Sequence, residues 1–308
     1  MAFDLSTLTQ YTEEPAELIK NAVTASRTVQ EVAIQAGIKS SETINIANST
    51  VTFQDGTNCG FSALGDDEIT QRLISTSAIK VNKDYCMNDL EAYFTQKLLQ
   101  AGANYDEADL PAIFFDEYNE ELALAIELAI WRGNSSGATG NNTFNDGFIK
   151  IFEDDFALFA TGNAVGAETA FNGNEIAVMQ EIVTSLPENV RDSSDVVCFM
   201  GRDYFDLYQF AIYNADGRYV APEDGIDGFI LFTNIPIIVV PGLTGTEYIF
   251  TGRRQDFVVG TDLENDFEQY KFWFSDDDDK HKLKTRFRLG AQFSFPENVV
   301  VYNNGNQQ

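Results

Sequence analysis

The stretch that most constrains the fold is residues 111–133. Pro111 can open a helix, because a residue without an N–H loses nothing in the first turn, and Gly133 can close it. Between them Phe114, Tyr118, Leu122, Ile126 and Ile130 recur every four residues and form one apolar stripe. Asp116, Glu117, Glu120 and Glu121 occupy the first turns, where the helix dipole favours anions. From Leu122 to Trp131 the only charge is Glu127, so this half is expected to be covered on most sides. At 1.5 Å per residue, positions 111–132 span about 33 Å. A helix that long predicts a spine on which the rest of the chain is built.

The segments around it differ in character. Residues 1–37 begin polar and turn helical, with Pro15 after Glu13–Glu14 and loose helical spacing of Leu18, Ile19, Val23, Val29, Val32 and Ile34. They read as an arm with one or two short helices. Residues 38–85 read as strands: Thr43-Ile44-Asn45-Ile46 and Val51-Thr52-Phe53 alternate in polarity, and Asp55-Gly56 is a turn signal. This part is poor in large core residues, and a two-stranded extension of that kind needs support from something else. Asn88 or Asp89 can cap a helix carrying Leu90, Phe94 and Leu98 that ends at Gly102.

After the spine, the Gly- and Asn-rich residues 133–147 mark a boundary. In 148–262, Asn174–Leu186 reads as a helix, Val196–Met200 and Ile237–Val240 as buried strands, and Tyr204, Leu207, Tyr208 and Ala211 as a second helix. Together they predict a compact α/β unit. Beyond it, Tyr270, Phe272 and Phe274 alternate, Asp276–Asp279 turn the chain, and Leu283, Thr285, Phe287 and Leu289 alternate with Lys282, Lys284, Arg286 and Arg288. This is a β-hairpin with an acidic tip and a basic face. No internal repeat is visible.

Composition removes several classes of function. With 48 acidic residues against 20 Lys and Arg, the formal net charge is −28. Such a surface repels polyanions on average, which argues against a nucleic-acid binder and against docking on anionic lipid. His281 is the single histidine, so a His-dependent triad or a multi-His metal site lacks material. Cys59, Cys86 and Cys198 are widely spaced, odd in number and without a CxxC, and read as reduced thiols. No apolar run reaches the ~18 residues of a membrane span, and Met1–Gln10 lacks a basic start followed by an apolar stretch. Synthesis in the cytosol is therefore expected.

The catalytic motifs are equally bare. The carboxylates of Asp116–Glu127 lack the Glu-x-x-His partners of a di-metal site and read as a solvated helix face. Asp276–Asp279 lack the order of a calcium loop and read as a solvated turn. The glycine-rich stretches carry no GxxxxGK[ST] and no GxGxxG, and no serine has a histidine partner in any motif. Neither an enzyme nor a bound metal or cofactor is expected.

One feature resists the average. Lys280, Lys282, Lys284, Arg286 and Arg288, five of the twenty cations, fall within nine residues. They can be a solvent face balanced by acids on the partner strand. They can equally be a contact for an acidic surface of another chain, since complementary charge sets register and partner choice. Nucleic acid fits less well, because no aromatics interleave the basic face. Asp66, Asp67 and Glu68 in the 38–87 extension are the candidate acids, docking on Lys282, Lys284, Arg286 or Arg288 of a neighbour.

The order of parts carries a resemblance. Leu122-Ala-Leu-Ala-Ile-Glu-Leu-Ala-Ile-Trp131-Arg-Gly133-Asn134 ends a spine helix at a Gly-rich loop, and Val196-Val-Cys-Phe-Met-Gly201-Arg-Asp-Tyr-Phe205 runs a strand into a helix. Arg288-Leu-Gly-Ala-Gln-Phe293-Ser-Phe-Pro296-Glu-Asn-Val299 lies near the end of the chain. In this order they resemble the major capsid proteins of tailed bacteriophages, whose fold is shared with encapsulins. Lys80-Val-Asn-Lys-Asp-Tyr-Cys86-Met-Asn-Asp-Leu90 is similar to capsid proteins of phages of Bacteroidota.

The resemblance implies an α+β tailed-phage capsid fold with four parts. These are an N-terminal arm (1–37), an extended β loop (38–87), a peripheral domain with the spine helix (88–147 and 263–308) and an axial α/β domain (148–262). It implies a shell of hexamers and pentamers around double-stranded DNA, with portal, scaffolding and decoration or head-to-tail proteins as partners. The protein would be made in the host cytoplasm and end in the virion. No catalytic residue carries over, and the Lys–Asn cross-link of some members finds no matching pair. No scaffolding region fits before residue 38, so a separate scaffold or a trimmed chain is expected. The competing readings are an encapsulin-like cargo shell and, from a different class, an acidic cation-dependent adhesion module.

Overall fold

The computed structural model describes residues 26–49, 51–54, 64–65, 67–86, 109–137, 140–159, 164–165, 170–216, 227–231, 233–262, 271–275, 277–278 and 280–303. In chain order the elements are α1 (Arg27–Glu31), β1 (Ala33–Gln35), β2 (Ser41–Ser49), β3 (Asp67–Ser75), β4 (Ser77–Cys86), α2 (Asp109–Arg132), α3 (Phe148–Asp154) and β5 (Ala164–Val165). Then follow α4 (Glu175–Ser185), α5 (Glu188–Arg191), β6 (Val196–Met200), α6 (Arg202–Asp216), β7 (Gly228–Phe229) and β8 (Pro236–Val239). The chain closes with β9 (Tyr248–Arg253), β10 (Phe257–Thr261), β11 (Lys271–Ser275), β12 (Lys280–Phe293) and β13 (Val300–Asn303).

The spine is α2. It starts two residues before Pro111 and stops at Gly133, and at 24 residues it is about 36 Å long. Tyr118, Leu122, Ile126 and Ile130 of the predicted stripe are buried, while Glu120 and Glu121 face solvent. The two ends of the 133–147 segment that follows meet. The Gly147 N–H donates to the Gly133 carbonyl at 2.9 Å, and buried Asn145 donates its side-chain amide to the Ala129 carbonyl at 3.2 Å.

A six-stranded sheet in the order β5-β13-β9-β6-β8-β7 divides two apolar cores. Its central strand β6 is buried at all five positions, because both of its faces are covered. Val197 and Phe199 join the core beneath α2 and α3, whereas Val196, Cys198 and Met200 join the core beneath α4 and α6. That alternation explains a continuous apolar run in a strand. Trp131, fully buried near the end of α2, packs its ring against Phe148, Phe250 and Phe199 at centroid distances of 5.1, 5.3 and 5.5 Å. Gly242 is required opposite it, since a Cβ there would run into the indole.

The second sheet is ordered β1-β10-β12-β11, with β4 also paired to β12. The predicted hairpin is present as β11–β12, and the predicted alternation holds: Leu283, Thr285, Phe287 and Leu289 are buried, and Lys284 and Arg286 are exposed. The third sheet is β2–β3 alone, nine residues on each strand and about 30 Å long. Among the described residues its base is the anchored part. Ile74 packs with Ile38 and Val258, the Arg72 guanidinium pairs with Asp155 at 2.9 Å, and Gly290 lets the Ser75 backbone approach β12.

Two expectations change. The helical spacing of Val29, Val32 and Ile34 ends after the five residues of α1, and Ala33–Gln35 is instead a strand laid parallel on β10. An open sheet edge offers backbone partners that outweigh a weak helical pattern. Val51–Phe53 belongs to no helix or strand, although it alternates in polarity; Val51 is 76% and Phe53 96% exposed, so no surface among the described residues rewards that alternation. The predicted arm helices before Ser26 and the predicted helix at 88–102 lie outside the described residues.

Candidate functional site

The basic strand β12 runs between β11 and β4 over its first half. Register places Lys282 opposite Asp84, Lys284 opposite Asn82, Arg286 opposite Lys80 and Arg288 opposite Ala78. Directly paired residues share a face, so these cations and Lys80 form one surface, on the side of the sheet turned away from Leu283, Phe287 and Leu289. Lys80 is a member the sequence reading missed. Nothing in the sequence links it to Arg286, 206 positions on; only the ladder does.

The balance of charge on this face is uneven. Lys280 donates to Asp84 at 2.8 Å, and the contact holds the Asp84 carboxyl below and the Lys280 ammonium above their usual values. Lys282 pairs with Asp278 of the turn, which is lowered for the same reason. The near end of the strand is thus neutralised by its own chain, as the first of the two readings anticipates. Lys80, Lys284, Arg286 and Arg288 form no ion pair among the described residues. Arg286 and Lys80 stand directly opposite each other, an arrangement that is unfavourable until an anion covers it.

The predicted acidic partners lie elsewhere. Asp67 begins β3 opposite Ser49, whose hydroxyl donates to it at 2.5 Å, and Glu68 takes the next register position opposite Asn48. Asp66 lies outside the described residues. Within one copy no ion pair joins Asp67 to Lys282, Lys284, Arg286 or Arg288 among the described residues.

The remaining chemistry-bearing groups are structural. Glu127, the lone charge of the apolar half of α2, is 2% exposed and accepts from the Ser26 hydroxyl, the Thr28 hydroxyl and the Thr28 N–H, the last at 3.1 Å. The Trp131 indole donates to the Thr28 hydroxyl at 2.6 Å. Cys86 and Cys198 are free thiols, and burial pushes the Cys198 thiol up to about 12. Among the described residues no cluster of His, Cys, Asp and Glu could hold a metal, and no helix is long and apolar enough to cross a membrane.

No family model and no curated protein matches the sequence. Solved structures do match it, over nearly the whole chain. A chain of the satellite phage P4 procapsid, which includes the size determination (Sid) protein, is 10% identical with a TM-score of 0.64, covering 95% of this chain and 98% of that one. A chain from the capsid of an empty GTA particle is 13% identical with a TM-score of 0.59, covering 93% and 90%. A chain of the capsid of Myoviridae phage XM1 is 12% identical with a TM-score of 0.57, covering 92% of each. With its spine helix, six-stranded sheet, long paired hairpin and projecting two-stranded sheet, this chain has the α+β fold of phage capsid proteins.

Proposed function

We propose that the chain is a structural shell protein that assembles into hexamers and pentamers of an icosahedral capsid around phage double-stranded DNA. The observation that carries this reading is end-to-end likeness: the match covers 95% of this chain and 98% of a chain from a phage procapsid. On this reading residues 1–37 are an arm, 38–87 an extended loop, 88–147 with 263–308 a peripheral domain, and 148–262 an axial domain around the symmetry centres. The protein is made in the host cytoplasm and works in the virion. Portal, scaffolding and decoration proteins are its further partners, and its task needs no catalytic group.

Two features of the chain support self-association. The β2–β3 sheet carries exposed Ile69 and Leu73 on a projection with little core of its own, a form that becomes stable against a neighbour. The basic face keeps cations that form no ion pair among the described residues, and the acids Asp66, Asp67 and Glu68 of a neighbouring loop supply the opposite sign. Electron microscopy of the purified protein is the test. Closed shells or hexameric sheets are expected, and persistent monomers at every concentration overturn the proposal. The contact has its own test: the double change Lys284→Glu with Arg286→Glu blocks assembly while the monomer stays folded by circular dichroism. Normal shells from that variant remove the basic face from the contact.

A further inference from the structure

We infer that Asn172 is a self-modification site: the Gly173 backbone nitrogen closes on the Asn172 side chain while the Glu175 carboxylate takes its proton, and the residue becomes aspartate or isoaspartate with loss of ammonia. The site belongs to the folded chain and stands whether or not copies assemble.

The chain has two Asn-Gly pairs, Asn172–Gly173 and Asn304–Gly305, the second outside the described residues. Glycine, having no Cβ, lets a neighbouring side chain come close to its nitrogen. Here the approach is open: Gly173 has φ +93°, and nothing lies within 4 Å of where a Cβ would stand. Asn172 is exposed in the turn that precedes α4, and no hydrogen bond holds its amide among the described residues. Asn174 differs on both counts. Its side-chain amide donates to the Ala170 carbonyl at 3.1 Å, and the residue after it is Glu175.

Glu175 supplies the missing chemistry. A backbone nitrogen attacks a carbonyl carbon only once its proton is removed. The Gly173 N–H donates to Oε1 of Glu175 at 2.8 Å, within the reach of proton transfer. The flanks keep the two groups together. Phe171 is fully buried with its ring stacked on Tyr204 at 4.5 Å, and the Asn174 N–H donates to the Phe171 carbonyl at 3.0 Å, closing the turn. A base held at the reacting atom acts as a positioned group and not as one met by diffusion.

A bond forms between the Gly173 nitrogen and Asn172 Cγ, and the bond from Cγ to the side-chain nitrogen breaks. That nitrogen leaves as ammonia with the proton that Glu175 received. Water then opens the cyclic imide at either carbonyl, giving aspartate or isoaspartate. The new carboxylate lies just ahead of α4, where the helix dipole favours an anion. On the shell reading, each copy gains one negative charge and the wall grows more acidic with age.

The test is mass spectrometry of aged protein. Folded protein is incubated at about pH 6 and at about pH 8, both above the range in which a carboxylate titrates. It is then cut with a glutamate-specific protease. In the peptide Thr169–Glu175 the exchange of NH2 for OH is expected at Asn172 and not at Asn174. A protease that cuts before aspartate but not before isoaspartate tells the products apart. The pH dependence identifies the base. Conversion driven by hydroxide falls about a hundredfold between these two pH values, whereas an ionised carboxylate serves at both, so the parent slows far less. Glu175→Gln, whose peptide runs on to Glu181, is expected to slow conversion about tenfold at the lower pH and to restore the steep profile. In urea, parent and variant convert alike. An Asn172 still intact in folded protein when the urea-treated chain has converted overturns the site, because the turn then protects it. A parent and variant sharing one steep profile overturn the role of Glu175. If Glu175→Gln fails to fold, the pH profile of the parent decides.

Discussion

A single carboxylate ties the start of the described chain to its spine. Glu127 sits where the apolar stripe of α2 demands burial, and a buried charge is tolerated only when its oxygens are satisfied. Ser26 and Thr28 satisfy them with two hydroxyls and one N–H. Thr28 in turn gives the Trp131 indole the acceptor that a buried tryptophan requires. Glu127→Ala therefore strands three donors at once and is expected to cost about 3 kcal/mol, a loss of roughly 6 °C in Tm. Limited proteolysis should then cut within residues 26–35, which the parent protects. A variant that melts with the parent and is cut no faster would show that α1 and β1 are held by their apolar packing and ladder alone. Glu127→Gln keeps one acceptor oxygen and should fall between the two. The sequence marks Glu127 as the only charge in its stretch, but its partners lie about 100 positions earlier, and no local pattern points to them.

The elements that were legible are those whose period is enforced by what covers them. The stripe of α2 and the alternation of β12 each run for four or more repeats, and each faces one core. The all-apolar β6 was readable for the opposite reason, having a core on both sides. Short segments were not legible: three residues at 33–35 and three at 51–53 carry too few repeats to separate helix, strand and irregular chain, and their states depend on whether an edge is free beside them. The candidate surface was half legible. Four of its cations follow one another at alternate positions in the sequence, whereas Lys80 enters by strand pairing. Lys80 then permits a test in which fold and contact move in opposite directions. Lys80→Glu converts the like-charge pair with Arg286 into an attractive one, worth about 0.2–1 kcal/mol to the monomer, so thermal stability is retained or raised. The same change places a negative charge where the proposed contact receives acids, and assembly followed by light scattering should fall. Parent-like assembly from a variant at least as stable would exclude the Lys80–Arg286 pair from the contact.

At the scale of the whole molecule, the net charge of −28 and the proposed enclosure of DNA constrain each other. A wall that held DNA through its surface would need cations in excess, because affinity for a polyanion comes from the counterions that Lys and Arg release. Here Lys80, Lys284, Arg286 and Arg288, which form no ion pair among the described residues, gather on the sheet of β4 and β12, and a neighbouring copy that covers them removes them from the wall. What remains facing the cavity is then acidic on average, and at physiological ionic strength its repulsion reaches about 8 Å, one Debye length. DNA would be confined by the closed shell and not by adhesion to it. This predicts how emptied shells behave. Incubated with double-stranded DNA fragments small enough to enter, they should retain almost none after washing, with no change between about 50 mM and 200 mM salt, a range over which a phosphate-binding wall loses affinity by orders of magnitude. Strong retention that falls steeply with salt would refute the repulsive wall. Its slope would count the phosphates neutralised, and loss of that slope in the Lys284→Glu, Arg286→Glu variant, read on whatever oligomers that variant forms, would show that the cations of β12 face the DNA and not a neighbouring copy.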